Sequence, residues 1–378
     1  MDIYGYYMDI SKNMQAKLGF SSEVYQQLSQ HLSVLDTFQG SWKVRESQQV
    51  KYLKELRKIA TIESAGSSTR IEGARIREQD VKKLLASIKK ARFESQDEQE
   101  LAGYYEAREV VLDDYADIEI SERRIHQLHR LLLKYSYKDQ PHRGSYKKTS
   151  NQVQANYPDG SQRELFDPTS PDLTPVEMTQ LIGWLNKRIE KRDMHPLVFI
   201  AAFVYEFLSI HPYTAGNGLL SRLLCTLLMM SQGYDFIQYI SFERVIESNK
   251  GEYYRALMVG QQNRYKDNEM ISTWVFYFIK SLIKATEELN ARYKTYSKLK
   301  TALNKRQKKV LDFIRDNEPV QVGDVDKALP EYSRNTLKKD LAYLVDEKVL
   351  IKTGDRKGTR YHISTYPSGF RSDSNISW

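Results

Sequence analysis

Cysteine is nearly absent from this chain of 378 residues, which has one, Cys225, inside an apolar run. A single thiol excludes an intramolecular disulfide and a zinc site built from cysteines, and it suits a reducing compartment. Long apolar runs are missing too, since no window approaches the roughly 18 uninterrupted apolar residues of a membrane-spanning helix. The N-terminal residues also lack the charged and then apolar pattern of a secretion signal. We therefore expect a cytoplasmic protein that does not bind membranes, with Cys225 as a small core residue.

A large excess of one charge is also missing. The chain has 57 Lys and Arg against 49 Asp and Glu, a net charge of +8. This balance is too mixed to indicate nucleic-acid binding by itself, although it allows a local basic face. The 7 histidines form no metal-ligand pattern: His126 and His129 lack a third nearby partner, so we expect packing or surface positions and no protein metal site. His195, before Pro196, is expected to cap a helix.

Apolar positions recur at helical spacing over most of the chain, which predicts a mainly α protein with a large and a small domain. Residues 142–175 are rich in turn-forming types and contain YPDG, which predicts a β-hairpin. A helix restarts at Thr174, where Glu177 indicates a capping box. The charged stretch KTYSKLKTALNKRQKK is interpreted as a joint. We assign 1–100 to an N-terminal helical region, 101–290 to a core domain, 303–364 to a second domain and 365–378 to a loose tail.

The second domain has the pattern of three short helices and a two-stranded ribbon, the layout of a winged helix-turn-helix. Ser333 is the predicted N-cap of the third helix. Candidate residues for contacting double-stranded DNA, on that helix and in the wing, are Arg334, Asn335, Lys338, Lys339, Arg356 and Lys357. Residues 303–363 hold 14 Lys and Arg against 10 Asp and Glu. Because this excess is small, a surface for protein contacts or for a homodimer stays open as the alternative.

The stretch HPYTAGNGLLSR, residues 211–222, joins two apolar helices. Gly216, Asn217 and Gly218 direct backbone N–H groups outward at a helix N-terminus, which suits a phosphate. His211, with an ordinary pKa near ~6.5, can take a proton from a hydroxyl. Arg222, one turn beyond Gly218, can hold a terminal phosphate. This set indicates phosphoryl or nucleotidyl transfer; a turn that only caps the helix is the structural alternative.

The same stretch resembles the signature of the Fic family: His-Pro-Phe, any residue, Asp or Glu, Gly-Asn-Gly-Arg, two residues, Arg. The apolar helix before it, the hairpin region, which is similar to the family's target-binding flap, and ISFERVIESNKGEYYRAL extend the similarity over roughly residues 44–285. The resemblance implies an all-helical Fic fold with a β-hairpin flap, and transfer of AMP from ATP to a hydroxyl of a target protein or of the chain itself. The site residues it implies are His211 as the base, Gly216, Asn217, Gly218 and Arg222 for the phosphates, and Tyr253 and Tyr254 for the nucleotide.

A second stretch, SSTRIEG, resembles the N-terminal inhibitory helix of a major Fic class. The residues concerned are Ser68, Glu72 and Gly73. The resemblance implies that Glu72 pairs with Arg222 and prevents productive ATP binding, which is a charge-assisted contact.

Two positions depart from the family signature. Ala215 stands at the acidic position that holds Mg²⁺, and Leu219 replaces the first arginine. No Asp or Glu lies between Pro212 and Tyr234. A metal that bridges phosphate oxygens contributes several kcal/mol to catalysis, and about 1.36 kcal/mol is a tenfold change in rate. We therefore expect slow AMP transfer, or a metal ligand from elsewhere, and expect Leu219 to extend the buried face of its helix.

Three functions follow from these residues. The first is an autoinhibited adenylyltransferase of low activity coupled to a DNA-binding winged helix, and His211 favours it. The second is a catalytically inactive Fic scaffold that acts as a nucleotide-responsive regulator of transcription, which Ala215 and Leu219 favour. The third is a transferase that uses another phosphate-containing donor.

Overall fold

The computed structural model describes residues 10–46, 50–86, 88, 93–151, 153–156, 162–347 and 349–363. The chain divides into two compact units, Met1–Thr286 and Glu287–Trp378. The helices that begin in the first unit are α1 (Ile10–Lys17), α2 (Ser22–Glu46), α3 (Val50–Ile71), α4 (Glu78–Ala86), α5 (Gln96–Asp114), α6 (Glu122–Leu132), α7 (Thr174–Lys191), α8 (Pro196–Ile210), α9 (Asn217–Ser231), α10 (Phe242–Ser248), α11 (Lys250–Gln261) and α12 (Ser272–Ala302). The mainly α class is thus confirmed.

Helices α8 and α9 form the centre of the first unit. All of α8 after Pro196 is buried, and so is all of α9 before Ser231. Helices that are apolar all round are stable only inside a core, and α8 packs on α7 and α9. Leu219, 1% exposed, belongs to this core as predicted, and Cys225 is buried in α9.

The ends of these helices follow from local chemistry. His195 caps α8 as expected: its Nδ1 accepts from the backbone N–H of Leu197 at 3.2 Å. The predicted capping box of α7 is wrong, because the N-cap residue is Leu173, which makes no side-chain cap bond. Glu177 instead accepts from the Arg264 guanidinium at 2.8 Å, a stronger charge-assisted partner than a backbone N–H.

The predicted hairpin is confirmed. Strands β1 (Val153–Asn156) and β2 (Gln162–Phe166) pair antiparallel, with Gln154 opposite Glu164 and Asn156 opposite Gln162. The YPDG turn between them lies outside the described residues.

The second unit contains α13 (Lys305–Asn317), α14 (Val322–Ala328), α15 (Arg334–Asp346), β3 (Leu350–Thr353) and β4 (Arg360–Ile363). β3 and β4 pair antiparallel, and Val320 forms a bridge with Tyr361. Leu337, Leu341 and Leu344 of α15 are fully buried in its core. The charged stretch interpreted as a joint is helical through Ala302, in α12. The predicted tail, 365–378, lies outside the described residues.

Within the described part of the chain, no helix combines the length and apolar character needed to cross a membrane.

Candidate functional site

The loop between α8 and α9 is held in a fixed shape. Two residues have left-handed backbone angles, His211 with φ 51° and Gly216 with φ 77°. The Asn217 side chain closes the loop, since its Oδ1 accepts from the Tyr213 backbone N–H at 2.9 Å and its Nδ2 donates to the Tyr213 carbonyl at 2.7 Å. The Asn217 amide is therefore engaged within the loop, and α9 begins at this residue.

His211 lies at the end of α8 with one ring nitrogen engaged. Its Nδ1 is 3.3 Å from the Leu208 carbonyl, so Nδ1–H is the donor in the neutral ring and the Nε2 lone pair remains for a proton. Burial, and then the positive charge of Lys147, lower the pKa of His211 from its ordinary 6.5 to about 4. The imidazole is thus neutral at pH 7.

Below the loop, an aromatic cluster from α6 supports Tyr213. The rings of His129 and Tyr213 stack with centroids 3.8 Å apart, and the Tyr213 hydroxyl lies 2.8 Å from His126 Nδ1. His129 Nδ1 accepts from the Gly144 backbone N–H at 2.8 Å, so Nε2–H donates to the Ala215 carbonyl at 2.9 Å. Both histidines pack inside the site as loop supports. Nothing in the sequence signals the His129 contact, since 86 positions separate it from Ala215.

The structure brings Arg222 together with Glu72 and Ser68. Arg222 Nη2 lies 2.8 Å from Glu72 Oε1 and 2.9 Å from the Ser68 carbonyl, and Nε donates to Ser68 Oγ at 2.7 Å. Burial disfavours the guanidinium charge, but Glu72, Tyr253 and Tyr104 together outweigh this effect and raise the pKa of Arg222 above its ordinary value. Arg222 Nη1 is buried and has no hydrogen-bond partner among the described residues. It is a donor that an added anion could satisfy.

The Glu72 carboxylate also rests on the first turn of α9. A Cβ added to Gly218 would lie 2.1 Å from Glu72 Oε1, so only glycine admits the carboxylate this close. The first N–H groups of a helix lack intrahelical partners and carry partial positive charge. Glu72 thus places its negative charge at the positive end of α9.

The end of α3 is fixed to α10 and α11. Gly73, with φ 106°, ends α3, and Arg70 pairs with Glu247 at 2.5 and 2.9 Å.

Tyr254 donates from its hydroxyl to the Ile71 carbonyl at 3.3 Å. Tyr253 is buried beside Arg222; burial raises its pKa to about 12, although the arginine charge opposes the shift. Both tyrosines predicted from the resemblance therefore border the Glu72 contact.

The residues at the loop do not fit Mg²⁺ in the expected way. Ala215 has no donor side chain, and the described residues contain no cluster of three or more His, Cys, Asp or Glu that could hold a metal ion. The loop, Gly218 and the orphaned Nη1 of Arg222 fit a polyphosphate better than a metal ion.

The second unit carries the other candidate surface. Arg334, Asn335, Lys338, Lys339 and Arg356 are exposed, and the Lys357 side chain lies outside the described set. Ser333 caps α15 by accepting from the Thr336 N–H, as expected. Arg334 Nη1 is 3.8 Å from Asp326 Oδ2, so one of these cations is partly neutralised.

Comparison with known proteins adds the family. The sequence model of the Fic/DOC family matches residues 119–229, which include α6 to α8, the hairpin and the loop. The protein adenylyltransferase Fic of Drosophila grimshawi is 31% identical over 117 residues, 31% of this chain and 22% of the relative. That of Culex quinquefasciatus is 32% identical over 108 residues, 29% of this chain and 19% of the relative. The chain thus spans about a fifth of the length of these curated relatives.

A solved structure agrees on the fold. A Fic family protein from Desulfovibrio desulfuricans G20 superimposes with a TM-score of 0.58 at 20% identity, over 94% of this chain and 99% of that chain. This likeness shows a shared fold. The Fic/DOC domain that the family model identifies lies at residues 119–229 of this chain.

Proposed function

We propose that the chain transfers AMP from ATP to a hydroxyl group of a protein, with His211 as the base. The main support is that three groups lie at one loop: a neutral imidazole, the N-terminus of α9, and a buried arginine with one N–H donor that has no partner among the described residues. The relatives named protein adenylyltransferase, at 31% and 32% identity over part of the chain, support the same reaction.

In the proposed reaction, the target hydroxyl oxygen attacks the α-phosphorus of ATP and its proton passes to His211 Nε2. The bond between the α-phosphorus and the pyrophosphate oxygen breaks, and pyrophosphate leaves. Arg222 and the backbone N–H groups at the start of α9 would hold the phosphates. Because Ala215 supplies no carboxylate, we derive no step through a metal and expect a slow reaction.

We further propose that Glu72 inhibits this reaction by occupying the position at the start of α9 where a phosphate of ATP would bind. Its carboxylate takes the Nη2 donor of Arg222 and lies against Gly218. Replacing Glu72 with Gly would vacate that position and free Nη2 for a phosphate oxygen. The inhibition is thus a competition between two anions for one cation.

The test is transfer of label from α-labelled ATP to the chain itself or to proteins of a cell extract, with and without Mg²⁺. Wild type, Glu72→Gly and Glu72→Gly with His211→Ala are compared. We expect label with Glu72→Gly and its loss in the double variant. If the double variant is labelled to the same extent as Glu72→Gly, His211 is not the base. If wild type and Glu72→Gly bind ATP with equal affinity, Glu72 does not inhibit by blocking a phosphate position.

The second candidate function is a non-catalytic, nucleotide-responsive regulator. Ala215 and the buried Leu219 favour it, since neither supplies a charged group to the loop. It predicts ATP binding by Glu72→Gly without labelling by any variant. Parallel reactions with γ-labelled ATP separate a third possibility, transfer of a different phosphate group.

For the second unit we propose binding of double-stranded DNA through the N-terminal half of α15. Its exposed Arg334, Asn335, Lys338 and Lys339 support this, and a layout of three helices and a ribbon is typical of winged helices. Affinity for duplex DNA should fall steeply as salt rises, because counterions are released. Lys338→Glu with Lys339→Glu should abolish retardation, whereas Lys187→Glu with Lys191→Glu, an equal charge change on α7, should not. Absence of retardation of any duplex at low salt would favour the protein-contact alternative.

A further inference from the structure

The segment from Lys147 to Asn151, just before the hairpin, is hydrogen-bonded to the loop between α8 and α9 on both sides of His211. The Lys147 backbone N–H donates to the Pro212 carbonyl at 2.9 Å. The Lys147 ammonium donates to the Ile210 carbonyl at 3.1 Å, and Asn151 Nδ2 donates to the Tyr213 carbonyl at 3.0 Å. One short segment therefore fixes the peptide groups that flank the histidine.

Lys147 is buried, at 3% exposure, which is uncommon for lysine. Its ammonium is held by Asn151 Oδ1 at 2.9 Å and by the carbonyl of Ile210, the last residue of α8. The C-terminal end of a helix carries partial negative charge and favours a cation. Burial, and then the charge of Arg264, lower the pKa of Lys147 to about 8, so the side chain is still mainly charged at pH 7.

The position of Lys147 affects both the backbone conformation of His211 and the charge near its ring. A left-handed backbone costs a non-glycine residue about 1–3 kcal/mol and persists only where its surroundings hold it, and the Lys147 contacts hold His211 there. Among the described residues, Lys147, ahead of β1, and Glu72, after α3, act electrostatically on the imidazole, and their charges have opposite signs. In a chain without Glu72, the lysine charge acts on the histidine unopposed.

We propose that Lys147 is a positioning residue for His211: it fixes the loop carbonyls on either side of the histidine and places a positive charge at the Ile210 carbonyl, next to the histidine. This inference rests on the proposed function for its effect on rate, but its effect on the histidine can be measured separately. A base kept free of protons by a neighbouring cation remains usable in mildly acidic solution.

The experiment follows the titration of His211 by NMR in full-length, histidine-labelled protein, with the signal assigned by His211→Ala. Lys147→Met removes the charge, Lys147→Arg retains it, and Lys148→Met is the matched control at the exposed neighbour. We expect the His211 midpoint to rise by about 1 pH unit in Lys147→Met and to stay in place in the other two variants. An unchanged midpoint in folded Lys147→Met overturns the proposal.

Rates give the second readout, in the Glu72→Gly background. The ratio of label transfer at pH 5 to that at pH 8 should fall in Lys147→Met and should be rescued by Lys147→Arg. If no variant transfers label, the proposed reaction fails while the NMR titration still decides the role of Lys147. If Lys147→Met does not fold, Lys147→Gln, also uncharged but able to donate a hydrogen bond, takes its place in both measurements.

Discussion

At the scale of single residues, Glu72 and Gly218 share one small volume. The carboxylate comes so close to the Gly218 backbone that no Cβ fits between them. Gly218→Ala should therefore displace Glu72 from Arg222 and lower the free energy of unfolding by about 1–2 kcal/mol, the scale of a lost charge-assisted bond. In a Glu72→Ala background the same change should be neutral or stabilising, because alanine favours a helix. Chemical unfolding of the four proteins measures this coupling; additive effects would show that the two residues do not meet.

Ala215 is the position at which a role for Mg²⁺ in the proposed reaction can be tested. Its backbone is already positioned by the bond from His129 to the Ala215 carbonyl. In the Glu72→Gly background, Ala215→Asp should increase Mg²⁺-dependent label transfer by about tenfold or more, since a bridging metal contributes several kcal/mol. Ala215→Asn, of the same size but uncharged, is the control. If Asp and Asn behave alike, or if the gain does not need Mg²⁺, a restored metal ligand is not the explanation.

At the scale of helices, the last residue of α6 lies against Gly103 of α5. A Cβ at this position would lie 1.9 Å from the Leu132 carbonyl oxygen, and a backbone atom cannot move aside as a side chain can. Gly103→Ala should therefore separate the two helices and destabilise the first unit by about 3 kcal/mol. Gly183→Ala is the control, because that glycine of α7 has nothing within 4 Å of its added Cβ and should gain up to about 1 kcal/mol. Thermal unfolding compares them, and equal melting temperatures would contradict this close contact.

At the scale of the whole chain, stability should depend on pH through the buried histidines. Burial lowers the pKa of His129 from 6.5 to about 4, so between these values the unfolded state binds a proton that the folded state does not. Stability is therefore greatest above pH 6.5 and falls as the pH drops toward 4, by about 2 kcal/mol between pH 7 and 5 for one such group. His211 acts in the same direction.

Urea unfolding followed by tryptophan fluorescence measures this slope in the first unit, where Trp42, Trp184 and Trp274 are buried. His129→Gln should be less stable than wild type at pH 7 but should lose less stability on acidification. An identical slope in both proteins would mean that folding does not lower the pKa of His129.

How far the sequence predicts this architecture depends on how local each feature is. The stretch HPYTAGNGLLSR and the helices beside it were predictable because their residues are contiguous and their apolar pattern is unbroken. The contacts of Lys147 with Ile210 and of Glu177 with Arg264 were not, since they span 63 and 87 positions. The wrong capping box illustrates the reason: a local pattern assigned Glu177 to its own helix end, and a distant arginine outcompeted it.

Cys225 is a natural probe of how often α9 opens. It is the single thiol, it is buried, and it lies on α9 one turn beyond Arg222. Burial raises its pKa, so an alkylating reagent, which reacts with the thiolate, must wait for α9 to come loose. The rate at which one molecule of reagent is taken up therefore reports how often α9, the helix that begins at Asn217, opens. Under the proposed function, ATP bound at the start of α9 should slow this rate.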